Sequence, residues 1–179
     1  MIEVIDDFLP LYNFNQLQST LLGSYFDWYF NSTTLAEEHL NKNKIRYRGH
    51  HFTHRFYKTR FIDPFMGEEK SSQYFSLLEV IISKLKLKRL VHIKANLGPR
   101  TLFHRKEGYH IDIDPPLPGV HKTAILYMNT CNGWTEFEKG GKVKSVENRM
   151  VIFDSNLKHQ GVTCTNEQRR VLINFNYEV

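Results

Sequence analysis

Near Leu90 the spacing of apolar residues changes from helical to alternating and stays alternating to Val179. That switch limits the chain to a sheet supplied mainly by its second half and helices supplied by its first. Val91, Ile93, Ala95 and Leu97 alternate with His92, Lys94 and Asn96. Residues 123–130 read as a further strand, and residues 150–153 as a short buried one. Gly133, Gly140 and Gly141 mark turns around two short strands at residues 134–137 and 142–144. The last strand, residues 170–177, puts Val171, Ile173, Phe175 and Tyr177 on one face and Arg170, Leu172, Asn174 and Asn176 on the other. An Arg-and-Asn face opposite so apolar a face suits either a wet pocket or open solvent. Many short strands after a helical layer predict a mainly β barrel or sandwich with flanking helices.

The first half predicts a short strand over residues 3–5 and a helix over 13–22, with Phe14, Leu17, Leu21 and Leu22 at helical spacing. A second helix is expected over 71–86, presenting Tyr74, Leu77, Leu78, Val80, Ile81 and Leu85 to a core. Between them, residues 39–62 lack Asp and Glu but carry Lys42, Lys44, Arg46, Arg48, Arg55, Lys58 and Arg60 among Tyr47, Phe52, Phe56, Tyr57 and Phe61. Such a stretch is a solvated surface with its aromatics tucked inward, a substrate lid, or a nucleic-acid contact in which cations meet phosphate and rings stack on bases. His50, His51 and His54 lie in it without the carboxylate or cysteine that would make a second metal site persuasive.

A chain of 179 residues fits a single domain over 1–179. Within it, residues 1–89 are expected to give helical support and the basic segment, and 90–179 the sheet core. The formal charge of +5 invites acidic partners, yet that value is common in domains that never touch nucleic acid. No apolar run approaches the roughly 18 residues of a membrane span, and the start lacks a signal-peptide layout, so the protein is expected in the cytoplasm without a membrane partner. The two cysteines, Cys131 and Cys164, form no Cys-x-x-Cys pair, which removes zinc-ribbon and thioredoxin-type sites and favours a reducing compartment.

His110-Ile111-Asp112 sets two metal-binding side chains at i and i+2, which on a strand face the same way. Alone this pair carries little weight. Downstream, His159 follows the buried run 150–153, where a third ligand can be delivered, and two histidines with one carboxylate are the donor set of non-haem iron sites. Arg170 then opens the terminal strand. Asp114 shares a face with Asp112, but the following Pro115-Pro116-Leu117-Pro118 is expected to turn the chain away.

Five blocks in this order carry a family resemblance: Tyr109-His110-Ile111-Asp112, Thr123-Ala124-Ile125-Leu126-Tyr127-Met128-Asn129, Asn148-Arg149-Met150-Val151-Ile152-Phe153-Asp154, His159, and Arg170-Val171-Leu172-Ile173-Asn174-Phe175-Asn176-Tyr177. Over about residues 91–179 the chain resembles the 2-oxoglutarate/Fe(II)-dependent dioxygenases of the prolyl-4-hydroxylase-like branch, in particular the compact versions of bacteria and marine phages. The resemblance implies a double-stranded β-helix, a cupin-like jelly-roll whose open end holds the metal. It implies Fe(II) and 2-oxoglutarate as cofactors, with ascorbate as an optional third, and dioxygen as co-substrate. His110, Asp112 and His159 would be the iron ligands and catalytic centre. Arg170 would pair with the far carboxylate of the oxoacid through its guanidinium fork. Tyr127 would bond the same carboxylate, Thr123 would share its inward face, and Asn174 would orient the oxoacid or a water.

The implied reaction is hydroxylation of a peptidyl, by default prolyl, substrate, with 2-oxoglutarate decarboxylated to succinate. The alternatives are a nucleic-acid-directed oxygenase, a non-catalytic basic nucleic-acid-binding module on the same fold, or a cupin-type metalloprotein with no use for Arg170. Two departures stand out. Asn132-Gly133-Trp134 replaces a glycine pair before Thr135-Glu136-Phe137, which is expected to affect packing and not ligation. Arg169 adjoins Arg170, but only Arg170 is in phase with Asn174.

Overall fold

The computed structural model describes residues 1–34, 49–59, 72–113 and 119–179. Ten strands occur among them: β1 (Ile2–Ile5), β2 (Tyr29–Asn31), β3 (His51–Lys58), β4 (Arg89–Pro99), β5 (His121–Tyr127), β6 (Trp134–Phe137), β7 (Lys142–Lys144), β8 (Met150–Asp154), β9 (His159–Val162) and β10 (Arg169–Glu178). Seven form an antiparallel sheet in the order β1-β8-β5-β10-β4-β3-β2, and three form a second in the order β7-β6-β9. The centre of the large sheet is β10, paired with β4 on one side and β5 on the other.

Strand parity decides what each face of β10 does. Val171, Ile173, Phe175 and Tyr177 pack with Ile93, Ala95 and Leu126 against a helical layer. That layer is α1 (Leu11–Leu22), a 3₁₀ turn at Phe75–Leu78, and α2 (Glu79–Leu85), which contribute Phe14, Leu17, Leu21, Leu78, Ile81 and Leu85. Each such side chain, buried from water, stabilises the fold by about 1.5–3 kcal/mol. On the opposite face Leu172 joins Ile125, Tyr127, Val151 and Phe153 against Phe137 and Val143 of the small sheet. The alternation predicts a β barrel or sandwich braced by helices, the resemblance implies a jelly-roll, and a jelly-roll braced on one side by helices is what forms.

The N-terminal half departs from a purely helical support. β1, β2 and β3 all come from it, and β3 is drawn from the basic, aromatic stretch. Phe52, His54 and Phe56 do alternate there, but a buried histidine hides the pattern. His54 is satisfied by the Asp27 carbonyl and the Ser72 hydroxyl, both at 2.7 Å. The predicted helix over 71–86 is shorter: its described part is the 3₁₀ turn and α2, stopped by Lys86 in a left-handed conformation at φ 50. The lid reading of Lys42–Arg48 and of Arg60 and Phe61, and the turn expected after Asp114, lie outside the described residues. No helix of the described residues is long and apolar enough to cross a membrane.

Candidate metal centre

Gly108, at φ 106, swings the chain so that the residues around it pair with β9. Glu107 N–H donates to the Gly161 carbonyl at 3.0 Å. His110 N–H donates to the His159 carbonyl at 2.9 Å, and His159 N–H returns a bond to the His110 carbonyl at 3.0 Å. The expectation that residues 110–112 form a strand is corrected by this geometry. His110 makes an isolated bridge, and Asp112 lies in a bend beyond it.

The Asp112 side chain is instead fixed by the large sheet. Its Oδ2 accepts from Asn174 Nδ2 at 2.9 Å, from Asn176 Nδ2 at 3.3 Å and from Thr123 Oγ1 at 3.3 Å. Thr123 and Asn174 thus reach the Asp112 carboxylate. Asn176 was not singled out in the sequence, although it shares the face of Asn174.

Nδ1 of His110 lies 3.1 Å from the Gly108 carbonyl, and Nδ1 of His159 lies 3.1 Å from the Leu157 carbonyl. A carbonyl oxygen only accepts, so each Nδ1 carries the proton and each Nε2 presents a lone pair. Those lone pairs face Asp112, at 3.5 Å from His110 Nε2 to Oδ1 and 3.6 Å from His159 Nε2 to Oδ2. All three donor atoms lie within 4.8 Å of one another. Three acceptors converging in a buried site repel unless a cation sits among them, and the N,N,O set suits iron(II) with coordination positions left open.

The titration behaviour agrees with a site built for a cation. Burial disfavours the imidazolium at His110, but the hydrogen bond and charge of Asp112 more than offset it and raise its pKa. At His159 burial prevails and the pKa is lowered. Burial also opposes charge on Asp112, yet His159, His110 and Asn174 together hold its carboxyl well below the usual range.

Deeper in the same pocket sits Arg170, 7% exposed. Its Nε donates to Ser145 Oγ at 2.7 Å and its Nη2 to Thr135 Oγ1 at 3.1 Å. No carboxylate of the described residues forms an ion pair with it. The Glu107 carboxyl lies within its field without forming an ion pair, and a buried guanidinium so placed is suited to an incoming carboxylate. Tyr127 is wholly buried, with its ring 5.5 Å from the guanidinium carbon, and its hydroxyl donates to Thr135 Oγ1 at 2.8 Å. It therefore supports the anchor through Thr135. Arg169, one residue earlier, points elsewhere and donates to the Leu22 carbonyl at 2.8 Å.

Gly133 packs closely against the Arg170 side chain. A Cβ there would meet Arg170 Cδ and the Val162 carbonyl oxygen, each at 2.8 Å, so only glycine lets the guanidinium stem pass. Gly161 has the same function for Glu107, whose carboxylate occupies the space a side chain at 161 would need. Burial pushes the Glu107 carboxyl up, against the opposing fields of Arg170, His110 and Lys94. Thr135, Ser145 and Glu107 were missed in the sequence. Inward alternation with Phe137 signals Thr135, but Glu107 and Ser145 lie in irregular chain where no periodicity applies.

No protein-family model matches the sequence, and no curated protein matches it. Solved structures do share the fold. An oxidoreductase of the 2OG-Fe(II) oxygenase family from Burkholderia pseudomallei superposes with a TM-score of 0.65 at 8% identity, covering 98% of this chain and 84% of its own. A prolyl hydroxylase from Trichoplax adhaerens, in complex with a hypoxia inducible factor peptide fragment, gives 0.64 at 16% identity, with 99% and 83% covered. A Pseudomonas putida prolyl-4-hydroxylase gives 0.58 at 16% identity, with 99% and 92% covered. At such identities the likeness establishes the double-stranded β-helix as the shared fold.

Proposed function

We propose that this protein is an iron(II)- and 2-oxoglutarate-dependent oxygenase, with His110, Asp112 and His159 as the metal ligands and Arg170 as the anchor of the oxoacid's far carboxylate. The observation that carries the reading is the convergence of two imidazole lone pairs on the Asp112 carboxylate, at a pocket that both histidines line together with a buried guanidinium that forms no ion pair with a described carboxylate. When bound, iron(II) would let dioxygen oxidise two partners at once: one oxygen atom would enter the succinate formed as 2-oxoglutarate loses carbon dioxide, and the other would be placed on the substrate.

The chain's own residues have defined tasks in that scheme. The Gly108 and Leu157 carbonyls fix the tautomers of His110 and His159, so that both Nε2 atoms stay available. Asn174, Asn176 and Thr123 hold Asp112 in one orientation. Ser145 and Thr135 align the guanidinium, and the apolar layer of Ile125, Phe153 and Leu172 keeps bulk water from the buried side of the site. Thr135 and Tyr127 complete the anion seat, Thr135 at the pocket wall and Tyr127 behind it.

For the oxidised substrate we infer a peptide, with proline as the default residue. Support comes from the family resemblance and from the shared fold with prolyl hydroxylases. The same reading takes residues 1–179 as one domain, supported by the way β1, β2 and β3 complete the sheet that carries β10. It also places the protein in the cytoplasm, where Cys131 and Cys164 stay free.

Anaerobic calorimetry with manganese(II) and 2-oxoglutarate tests the cofactor assignment. Binding of both is expected in the wild type, and loss of metal binding in His110→Ala. A wild type that binds neither would overturn the proposal. Succinate release over a panel of proline-containing peptides, free amino acids and alkylated oligonucleotides then tests the substrate class.

A further inference from the structure

The polar face of the large sheet does not stop at the metal pocket. Arg55 on β3, Lys94 on β4 and Asn174 on β10 are register partners across three neighbouring strands. Strand spacing is about 4.8 Å, so this row leads outward from Asn174, which bonds Asp112, to the rim of the sheet. Lys94 lines the metal pocket and both clefts that adjoin it. Thr34 and His51 are likewise shared between the metal pocket and the first of those clefts.

Among the described residues, that first cleft is lined by Arg55, Lys94, His51 and His92 together with Phe30 and hydroxyl and amide side chains, and by no carboxylate. Asp27 appears only in the second cleft, where it accepts a bond from the Gln73 amide at 3.2 Å. Among the described residues, neither the Lys94 ammonium nor the Arg55 guanidinium has a hydrogen bond or ion pair, and His51 Nδ1 and His92 Nε2 are buried without a hydrogen-bond partner. Buried polar atoms are rarely left unsatisfied, so two such nitrogens beside two cations make the cleft suited to a polar ligand.

Burial lowers the pKa of Lys94; Asp112 opposes this, Arg55 adds to it, and Glu107 opposes it.

We propose that the cleft over β3 and β4 seats the oxidised substrate through an anionic group, carboxylate or phosphate, held between Lys94 and Arg55. This rests on the oxygenase reading for the identity of the occupant as substrate, but the anion site is measurable by itself. Arg170 serves the oxoacid at the inner end of the pocket, and Lys94 with Arg55 serves a second, outer anion. For a peptide substrate, the group would be an acidic side chain or terminal carboxylate close to the oxidised residue.

The test uses the full chain loaded with zinc(II) and saturated with 2-oxoglutarate, so that Arg170 is occupied, and follows backbone amides by NMR. The probes are N-acetylglycinate and methyl phosphate, with N-acetylglycinamide as the neutral control. Saturable shifts centred on residues 53–55 and 92–94 are expected for at least one anion, and none for the amide. The tighter anion identifies the group, and Lys94→Met or Arg55→Met should weaken it by about tenfold or more. Arg55 is exposed, so its variant keeps the test valid if Lys94→Met fails to fold. Absence of saturable shifts with either anion, equal binding of the amide, or unchanged affinity in the variants would overturn the proposal. Failure of 2-oxoglutarate to perturb the amides around Thr135 and Gly161 would instead count against the oxygenase reading, and the two failures are read from different signals.

Discussion

His110 and His159 are backbone partners as well as side-chain neighbours. They exchange both N–H to carbonyl bonds, at 2.9 and 3.0 Å, and their rings sit 4.7 Å apart. The spacing of the two imidazoles is therefore set by the main chain, which an alanine leaves untouched. His110→Ala and His159→Ala should each keep a native circular dichroism spectrum while losing manganese affinity by at least about 100-fold, as judged by calorimetry. Unfolding of either variant would show that the side chains, and not the bridge, hold this part of the sandwich together.

Asp112 owes its orientation to Asn174, Asn176 and Thr123. Removing one of these donors frees the carboxylate to rotate without removing it. Asn174→Ala should cost about 10–100-fold in metal affinity, less than loss of a ligand, because outer partners of metal ligands typically have effects of that size. Equal loss in Asn174→Ala and His110→Ala would contradict this ranking.

The triad also predicts how stability depends on pH. His110 has a raised folded pKa, so its contribution is present below the ordinary histidine value of 6.5 and is lost as pH rises through the folded value. His159 has a lowered one, so its contribution is present above 6.5 and is lost as pH falls through the folded value. Asp112 weakens the fold only at strongly acid pH, below 3.8. Metal-free protein should accordingly show the triad's greatest contribution close to 6.5. Metal binding needs both imidazoles neutral, so the extra stability conferred by manganese should increase with pH through the same region. Thermal melts with chelator and with manganese, from about pH 5 to 8, measure both trends.

Arg170 is buried and forms no ion pair with a described carboxylate. Replacing such a group with an apolar side chain of similar length is often neutral or stabilising. Arg170→Met should keep or raise the melting temperature of the free protein and abolish the further rise given by 2-oxoglutarate, with manganese binding retained. Gly133→Ala should also lower 2-oxoglutarate affinity, because its Cβ would press on Arg170 Cδ.

Much of this arrangement is readable from residue order. The parity of residues 170–177 separates a core face from a pocket face; His110, His159 and Arg170 line one pocket, and Asp112 lies beside both histidines. The reasoning for His110 and Asp112 held less well than the residues themselves. They share a site because Gly108 turns the chain and the Asp112 side chain is held from β5 and β10, not because of strand periodicity. Glu107 was invisible for a related reason: its position follows from contact with Gly161, 54 residues away in the chain. β3 was obscured because His54 counts as polar in sequence, although two hydrogen bonds allow it to be buried. Cys131 and Cys164 show the same limit: without a local motif, the two thiols still come within hydrogen-bonding reach.

The central strand β10 has a consequence for how this protein tolerates change. Its odd-numbered side chains, 171 to 177, belong to the layer under the helices, and its even-numbered ones, 170 to 176, face the pocket and the small sheet. On the oxygenase reading, a drifting lineage that changed the polar members of the even parity would lose turnover and keep a well-behaved scaffold, while changes in the other would remove the molecule altogether. Descendants that abandoned turnover should be recognisable by erosion at every second position of a single strand.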